Sequence, residues 1–257
     1  MSESPNKEFY DLLSSAAVDQ FSLSLSDKST YSFKQLTTSQ LRDLVKTVVD
    51  SPLTQAQFNN TLARIIREST ITPTNFSLDI VDRLLFCLET RIQSISPNIK
   101  LSTDDGVVVV DLNEIKSTLN AALAANGPLF ETQNASSGQI SITYGVPFIS
   151  VETQLNDEFY KNIDLDVQSP EELRKVLGDT FINEIAKTIR TVTIQEKVLD
   201  LSTVTFKSRI KTVESLPASL IGSVIEYIEK YKKVLDDSLV VSEGLSVPID
   251  GSLFSIR

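Results

Sequence analysis

The constraint that most narrows the fold is a stretch near the C-terminus, residues 203–235, in which two amphipathic helical patterns meet at one proline. Phe206, Ile210, Val213 and Leu216 recur near helical spacing, and beyond Pro217 the residues Leu220, Ile221, Val224, Ile228 and Tyr231 repeat it. Each half has one apolar stripe. Most helical stability in water comes from burying such a stripe, so both helices demand a partner surface from elsewhere in the chain.

The rest of the chain supplies helices and strands in alternation. Residues 9–17 form a short helical candidate. Phe21, Leu23 and Leu25 then alternate with serines, and after a turn Tyr31 and Phe33 resume the alternation, which predicts a β-hairpin with one buried face. Thr37 or Thr38 caps a helix carrying Leu41, Leu44, Val45 and Val48, which stops at Pro52. A second helix follows with Phe58, Leu62, Ile65 and Ile66, opened by Thr54 and Gln57 at capping-box spacing. In residues 78–95 the stripe Leu78, Val81, Leu85, Leu88, Ile92 and Ile95 is widened by Ile80, Leu84 and Phe86, as in a helix buried on more than one side. Asp79 and Arg83, one turn apart, read as a solvated pair.

After Pro97 the pattern turns strand-like. Ile99 and Leu101, an Asp-Asp-Gly turn at 104–106 and Val107 to Val110 predict a hairpin. A short helix runs to Ala125 and stops at Gly127-Pro128; residues 134–138 read as a polar loop, Ile140, Ile142 and Tyr144 as a strand, and 148–151 as its returning partner. Asp157-Glu158 fits a helix start. Ser169-Pro170-Glu171-Glu172 is a capping box with proline at the first helical position, opening a helix with Leu173, Val176, Leu177, Phe181, Ile185 and Ile189. Gly178 inside it costs about 1 kcal/mol relative to alanine and marks a close contact. The fold class is therefore α+β, with helical N- and C-terminal parts, β-hairpins and a small β-rich middle. Three regions are expected: 1–96, 97–168 and 169–257.

Chemistry is sparse. The 257 residues contain no histidine, which removes the commonest general base, the usual nucleophile activator and the usual zinc ligand. Asp104-Asp105 lack the spaced oxygen ligands of a calcium loop and serve better as a turn. Glu171-Glu172 and Asp236-Asp237 are adjacent on helices and do not face each other. No Gly-rich phosphate loop is present. No catalytic residue, metal site or cofactor is expected. The single cysteine, Cys87, lies in an apolar run and reads as a buried free thiol. A formal charge of −10 opposes binding to a phosphate backbone. No apolar run is long enough to span a bilayer, and the polar start MSESPNKEFY is not a signal peptide, so a cytoplasmic protein, or one built into a particle assembled there, is expected. Lys230, Lys232 and Lys233 suit a helix C-terminus.

The end of the chain is apolar again. Leu245, Val247, Ile249, Leu253, Phe254 and Ile256 either pack on their own domain, which composition favours, or add a strand to another subunit's sheet. They are the candidate partner interface.

Four segments in this order, YSFKQLTTSQLRDLVKTVVDSPLTQAQFNNTLARII, LDIVDRLLFCLETRIQSIS, LDLSTVTFKSRIKTVESLPASLIGSVIEYIE and VPIDGSLFSI, resemble the baseplate hub family of T4-like tailed phages, the hub subunits and hub-assembly proteins. They cover a little over a third of the chain and contain no chemical motif. The resemblance implies a non-enzymatic virion structural protein of a contractile tail, made in the host cytoplasm and then placed in the baseplate. Its partners would be other baseplate or hub proteins, with self-association compatible, and neither nucleic acid nor membrane. The C-terminal segment and one face of the 203–235 helix pair would make the contacts. Three other functions compete: an assembly chaperone absent from the virion, an acidic DNA mimic that inhibits a host enzyme, and an enzyme using carboxylates or a Ser-Lys pair. The DNA mimic requires carboxylates arrayed on one face, whereas here lysines are interspersed with them.

Overall fold

The computed structural model describes residues 19–26, 28–48, 54–71, 77–104, 106–162 and 169–255. The helical candidate at 9–17, Asp105 and Ile256 lie outside the described residues.

Strands β1 (Gln20–Ser24) and β2 (Thr30–Lys34) form the expected hairpin, with Phe21 opposite Phe33 and Leu23 opposite Tyr31. Phe21, Leu23 and Phe33 point inward, where the Phe33 ring meets Phe86 edge-on at 5.1 Å. Helix α1 (Thr38–Val45) starts at a Thr37 cap that exchanges capping-box bonds with Gln40. Next come α2 (Thr54–Ser69) and α3 (Ile80–Ser94). The wide stripe of α3 has its expected consequence, since Val81, Leu84, Leu85, Phe86, Cys87 and Leu88 are all buried. Cys87 is a buried free thiol, and desolvation pushes it up to about 12.

Asp79 and Arg83 do not pair. Asp79 caps α3, taking the N–H groups of Val81 and Asp82, while Arg83 is half-buried against Glu152 and forms its ion pair there. One turn of helix brings Asp79 and Arg83 together, but a tertiary partner offers Arg83 a less hydrated site and wins.

The middle of the chain begins with β3 (Asn98–Thr103) and β4 (Gly106–Asp111), a two-stranded ribbon. Asp111 caps α4 (Leu112–Ala125) through the Asn113 N–H at 2.8 Å. Two expectations fail here. Residues 134–138 are not a loop: β5 (Gln133–Ser137) pairs antiparallel with β6 (Ile140–Tyr144). Nor does a strand return after Pro147, because α5 (Ile149–Asn162) starts at once and carries Asp157 and Glu158 in its interior. Helix α6 (Pro170–Thr188) opens at the Ser169–Glu172 capping box. It runs straight into β7 (Ile189–Ile194), and β8 (Lys197–Asp200) follows after a tight turn. The antiparallel order is β5-β6-β7-β8, so one sheet joins strands from either side of residue 168. Its inner face carries Ile142 and Val192; the outer face carries Ser141, Thr143, Thr191 and Thr193.

The organising pair is α7 (Phe206–Glu214) and α8 (Ala218–Ser238), separated at Pro217. Leu220, Val224, Tyr227, Tyr231 and Leu235 bury one face of α8, which packs on α4, α6 and β5. A small hairpin, β9 (Val240–Ser242) with β10 (Leu245–Ser246), leads to a final turn at Gly251–Phe254. That turn lies on α1 so closely that a Cβ on Gly251 would collide with the Leu44 carbonyl, which explains the glycine. A single apolar cluster runs from Phe21 through Leu62, Leu119 and Tyr231 to Phe254, giving an α+β fold with one continuous core.

Candidate interaction surfaces

The buried ionisable groups are engaged in holding the fold. Arg209 on α7 is buried and donates to three carbonyls: Nε to Ala186 at 2.8 Å, Nη2 to Ile189 at 2.8 Å and Nη1 to Leu201 at 3.1 Å. It ties the end of α6, the start of β7 and the turn after β8 to one point. Burial lowers it to about 10. Arg91, in the last turn of α3, has the same kind of environment: Nε meets the Leu253 carbonyl at 2.8 Å, and the other two nitrogens reach the Ser96 and Asn98 carbonyls. Both cations sit among carbonyl dipoles at helix ends, where positive charge is favoured.

Asp79 and Asp82 stand together at the start of α3. Asp82 Oδ1 accepts the Ser26 N–H at 2.7 Å and Asp79 Oδ2 the Ser26 hydroxyl at 3.2 Å, so the two fasten the β1–β2 turn to the start of α3. Burial first, and then the Asp82 charge, push Asp79 up to about 7. Among the described residues no three His, Cys, Asp or Glu side chains converge to hold a metal.

The C-terminal candidates are placed inward. Val247, Leu253 and Phe254 are buried in the chain's own core, and the Phe254 ring lies 6.4 Å from Phe58. Leu245 and Ile249 are half-buried, and Ile249 packs against the core. Of the two readings, the described residues sit as packing on their own domain requires.

Among the described residues, one outward apolar feature is on α6. Ile185, Ala186 and Thr188 are buried at its C-terminal end, but from Pro170 to Phe181 the helix is almost wholly exposed. Leu173, Leu177 and Phe181 are 49%, 60% and 46% exposed, and their i, i+4, i+8 spacing puts them on one ridge. Lys175 and Asp179, about half a turn round, are exposed as well, and one turn beyond Phe181 the same ridge reaches buried Ile185. The helix thus roots its C-terminal end in the core and carries the ridge out on its projecting half. The close contact expected at Gly178 is absent among the described residues, since a Cβ there would meet none of them within 4 Å.

Other exposed apolar residues cluster on hairpins. Ile194, Val198 and Leu199 surround the β7–β8 turn, where Gln195 and Glu196 both take left-handed φ values of 48° and 70°. Val107 and Val109 project from β4. Two grooves accompany these surfaces. One, of about 920 Å³, has Phe206 and Ile210 among its lining residues with Gln154, Glu158, Lys207 and Lys211. The other, of about 810 Å³, runs between the β3–β4 ribbon and the C-terminal turn. Neither gathers a catalytic constellation.

Sequence periodicity found the α6 ridge as part of one stripe with Val176, Ile185 and Ile189, without separating the exposed part from the buried one. A docking helix and a core helix share one local pattern, and only the course of the neighbouring chain separates them. Strand β8 escaped notice because its four residues are too few for alternation to show.

No helix among the described residues is long and apolar enough to cross a membrane. No curated protein and no solved structure matches the chain. The family described as T4 bacteriophage base plate protein matches residues 18–239, which takes in every described α-helix and strands β1 to β8. With the match extending over most of its length, the chain belongs to the T4 bacteriophage base plate protein family.

Proposed function

We propose that this chain is a non-enzymatic subunit at or near the hub of a contractile-tail baseplate, made in the host cytoplasm and placed by protein–protein contacts alone. The observation that carries this reading is the ridge Leu173, Leu177 and Phe181, left exposed on the projecting half of a helix that is well capped and firmly rooted. Leaving three large apolar side chains in water forgoes several kcal/mol of burial at roughly 1.5–3 kcal/mol each. A neighbouring baseplate protein that laid a helix or groove on this ridge would recover it. Contact near the C-terminal segment would involve Leu245 and Ile249, with Val247, Leu253 and Phe254 anchoring them from below.

The acidic balance of the chain keeps free copies apart before assembly and helps select a partner with a complementary surface. Quantitative mass spectrometry of purified particles tests the subunit role. A fixed copy number per particle is expected; absence from the finished particle would reject it and leave the transient assembly factor.

A further inference from the structure

The groove of about 810 Å³ between the β3–β4 ribbon and the C-terminal turn follows the edge of β3. Five consecutive residues of that strand, Asn98 to Ser102, line it over about 16 Å of extended chain. Alternate side chains of a strand point to opposite faces, so a groove lying on one face alone would not meet all five. Pro248 and Leu253 stand on the far wall. Among the described strands only β4 pairs with β3, on its other side.

Register sets which backbone groups reach the groove. The ribbon closes on Thr103 opposite Gly106, so the ladder bonds fall on Thr103, Leu101 and Ile99, and the N–H and C=O groups of Ser102, Lys100 and Asn98 turn outward. Those of Asn98 are taken: its N–H donates to the Ser96 hydroxyl at 3.1 Å, and its carbonyl accepts from Arg91 Nη2 at 3.4 Å. Those of Lys100 and Ser102 have no partner among the described residues.

We propose that this groove takes an extended segment of a partner protein, which pairs antiparallel with β3 and sets one carboxylate opposite Lys100. A row of backbone donors and acceptors calls for a strand, because a helix bonds its own backbone internally. Paired residues share a face, so those opposite Lys100 and Ser102 join the exposed face of Val107 and Val109, and those between them join the face of Ile99. The sequence Val-Thr-Val-Glu-Val meets both demands, with its threonine opposite Ser102 and its glutamate opposite Lys100.

Charge selects the occupant. Among the described lining residues are two cations, Arg91 and Lys100, and no carboxylate, in a chain with 34 acidic and 24 basic residues. Arg91 turns its donors to the carbonyls of Leu253, Ser96 and Asn98. Lys100 is exposed and pairs with no carboxylate among the described residues. A lysine on a sheet edge ordinarily discourages pairing, and a carboxylate placed across from it lifts that barrier for one class of segment. A run of carboxylates is disfavoured, since the chain as a whole stands at −10. The groove is a surface apart from the α6 ridge, and its occupancy is read on the isolated chain, so either reading can fail alone.

Fluorescence anisotropy of N-terminally labelled Val-Thr-Val-Glu-Val, titrated with the full chain, tests this. Saturable binding with a dissociation constant on the order of 100 μM is expected. Lysine in place of the peptide's glutamate weakens it at least about fivefold, and Lys100→Glu in the chain reverses that preference. A methyl group on the amide nitrogen of the peptide's glutamate removes a ladder donor and weakens binding at least about fivefold as well. No saturable binding, indifference to either charge or to the methyl group, or binding that appears only once Ile256 and Arg257 are deleted, which would give the groove to the chain's own end, would each overturn the proposal.

Discussion

The Arg91 guanidinium donates from Nε to the carbonyl of Leu253, 162 residues further along the chain, at 2.8 Å in a buried setting. That bond fastens the final turn to α3, between Phe254 packed on Phe58 and Gly251 seated on α1. The end of the chain is thereby part of the core and not an appendage.

Replacing Arg91 with methionine keeps the aliphatic stem and removes the donors. Three carbonyls then lose a buried partner, at a cost of about 1–3 kcal/mol. Urea unfolding should show that loss. The thiol of Cys87 should at the same time become more accessible to a thiol reagent, because α3 loses one of its covers. Truncation before Leu245 should be worse, since it strips Val247, Leu253 and Phe254 from the core, at about 1.5–3 kcal/mol for each large side chain.

Arg209 tests the same physics at the other end of the core. Methionine there leaves the carbonyls of Ala186, Ile189 and Leu201 without their common donor, and a loss of about 3 kcal/mol is expected. Lysine keeps the charge but cannot address three carbonyls in a planar fork, so Arg209→Lys should recover less than half of the loss. Equal stability of Arg209→Lys and wild type in chemical denaturation would contradict the three-carbonyl account.

The Asp79–Asp82 pair makes stability depend on pH. Burial and the neighbouring charge raise Asp79 in the folded chain, so the fold holds a proton that the unfolded chain releases. Its contribution favours folding most at low pH and is lost as pH rises from about 4 to about 7. Asp79→Asn retains the cap, because asparagine accepts from the same N–H groups, and removes the titration. Measured as a difference from wild type, the variant should gain relative stability as pH is raised through that window. A difference that is flat with pH would reject the assignment.

Local patterns made much of the fold legible. The β1–β2 hairpin, the Thr37 and Ser169 caps, the wide stripe of α3 and the break at Pro217 all follow from residue spacing that acts within a few turns of chain. What was not legible depends on distant partners. Asn134, Ser136 and Ser137 have the chemistry of a loop, yet they stand in β5 because β6 supplies a ladder. Arg83 had Asp79 one turn away and found Glu152 instead. Leu173, Leu177 and Phe181 have the spacing of a core stripe, and only the placement of α7 and β7 around the end of α6 leaves them outside. The carbonyl clamps of Arg91 and Arg209 join segments whose proximity no local pattern encodes.

The account turns on whether the outward ridge of α6 is what joins this chain to the baseplate. Leu177→Asp, alone and with Leu173→Ser, should leave folding stability within about 0.5 kcal/mol of wild type, because both side chains already face solvent. Particles assembled with each variant as the sole source of the chain, quantified by mass spectrometry, should contain little or none of it. Incorporation at the wild-type copy number would contradict the account.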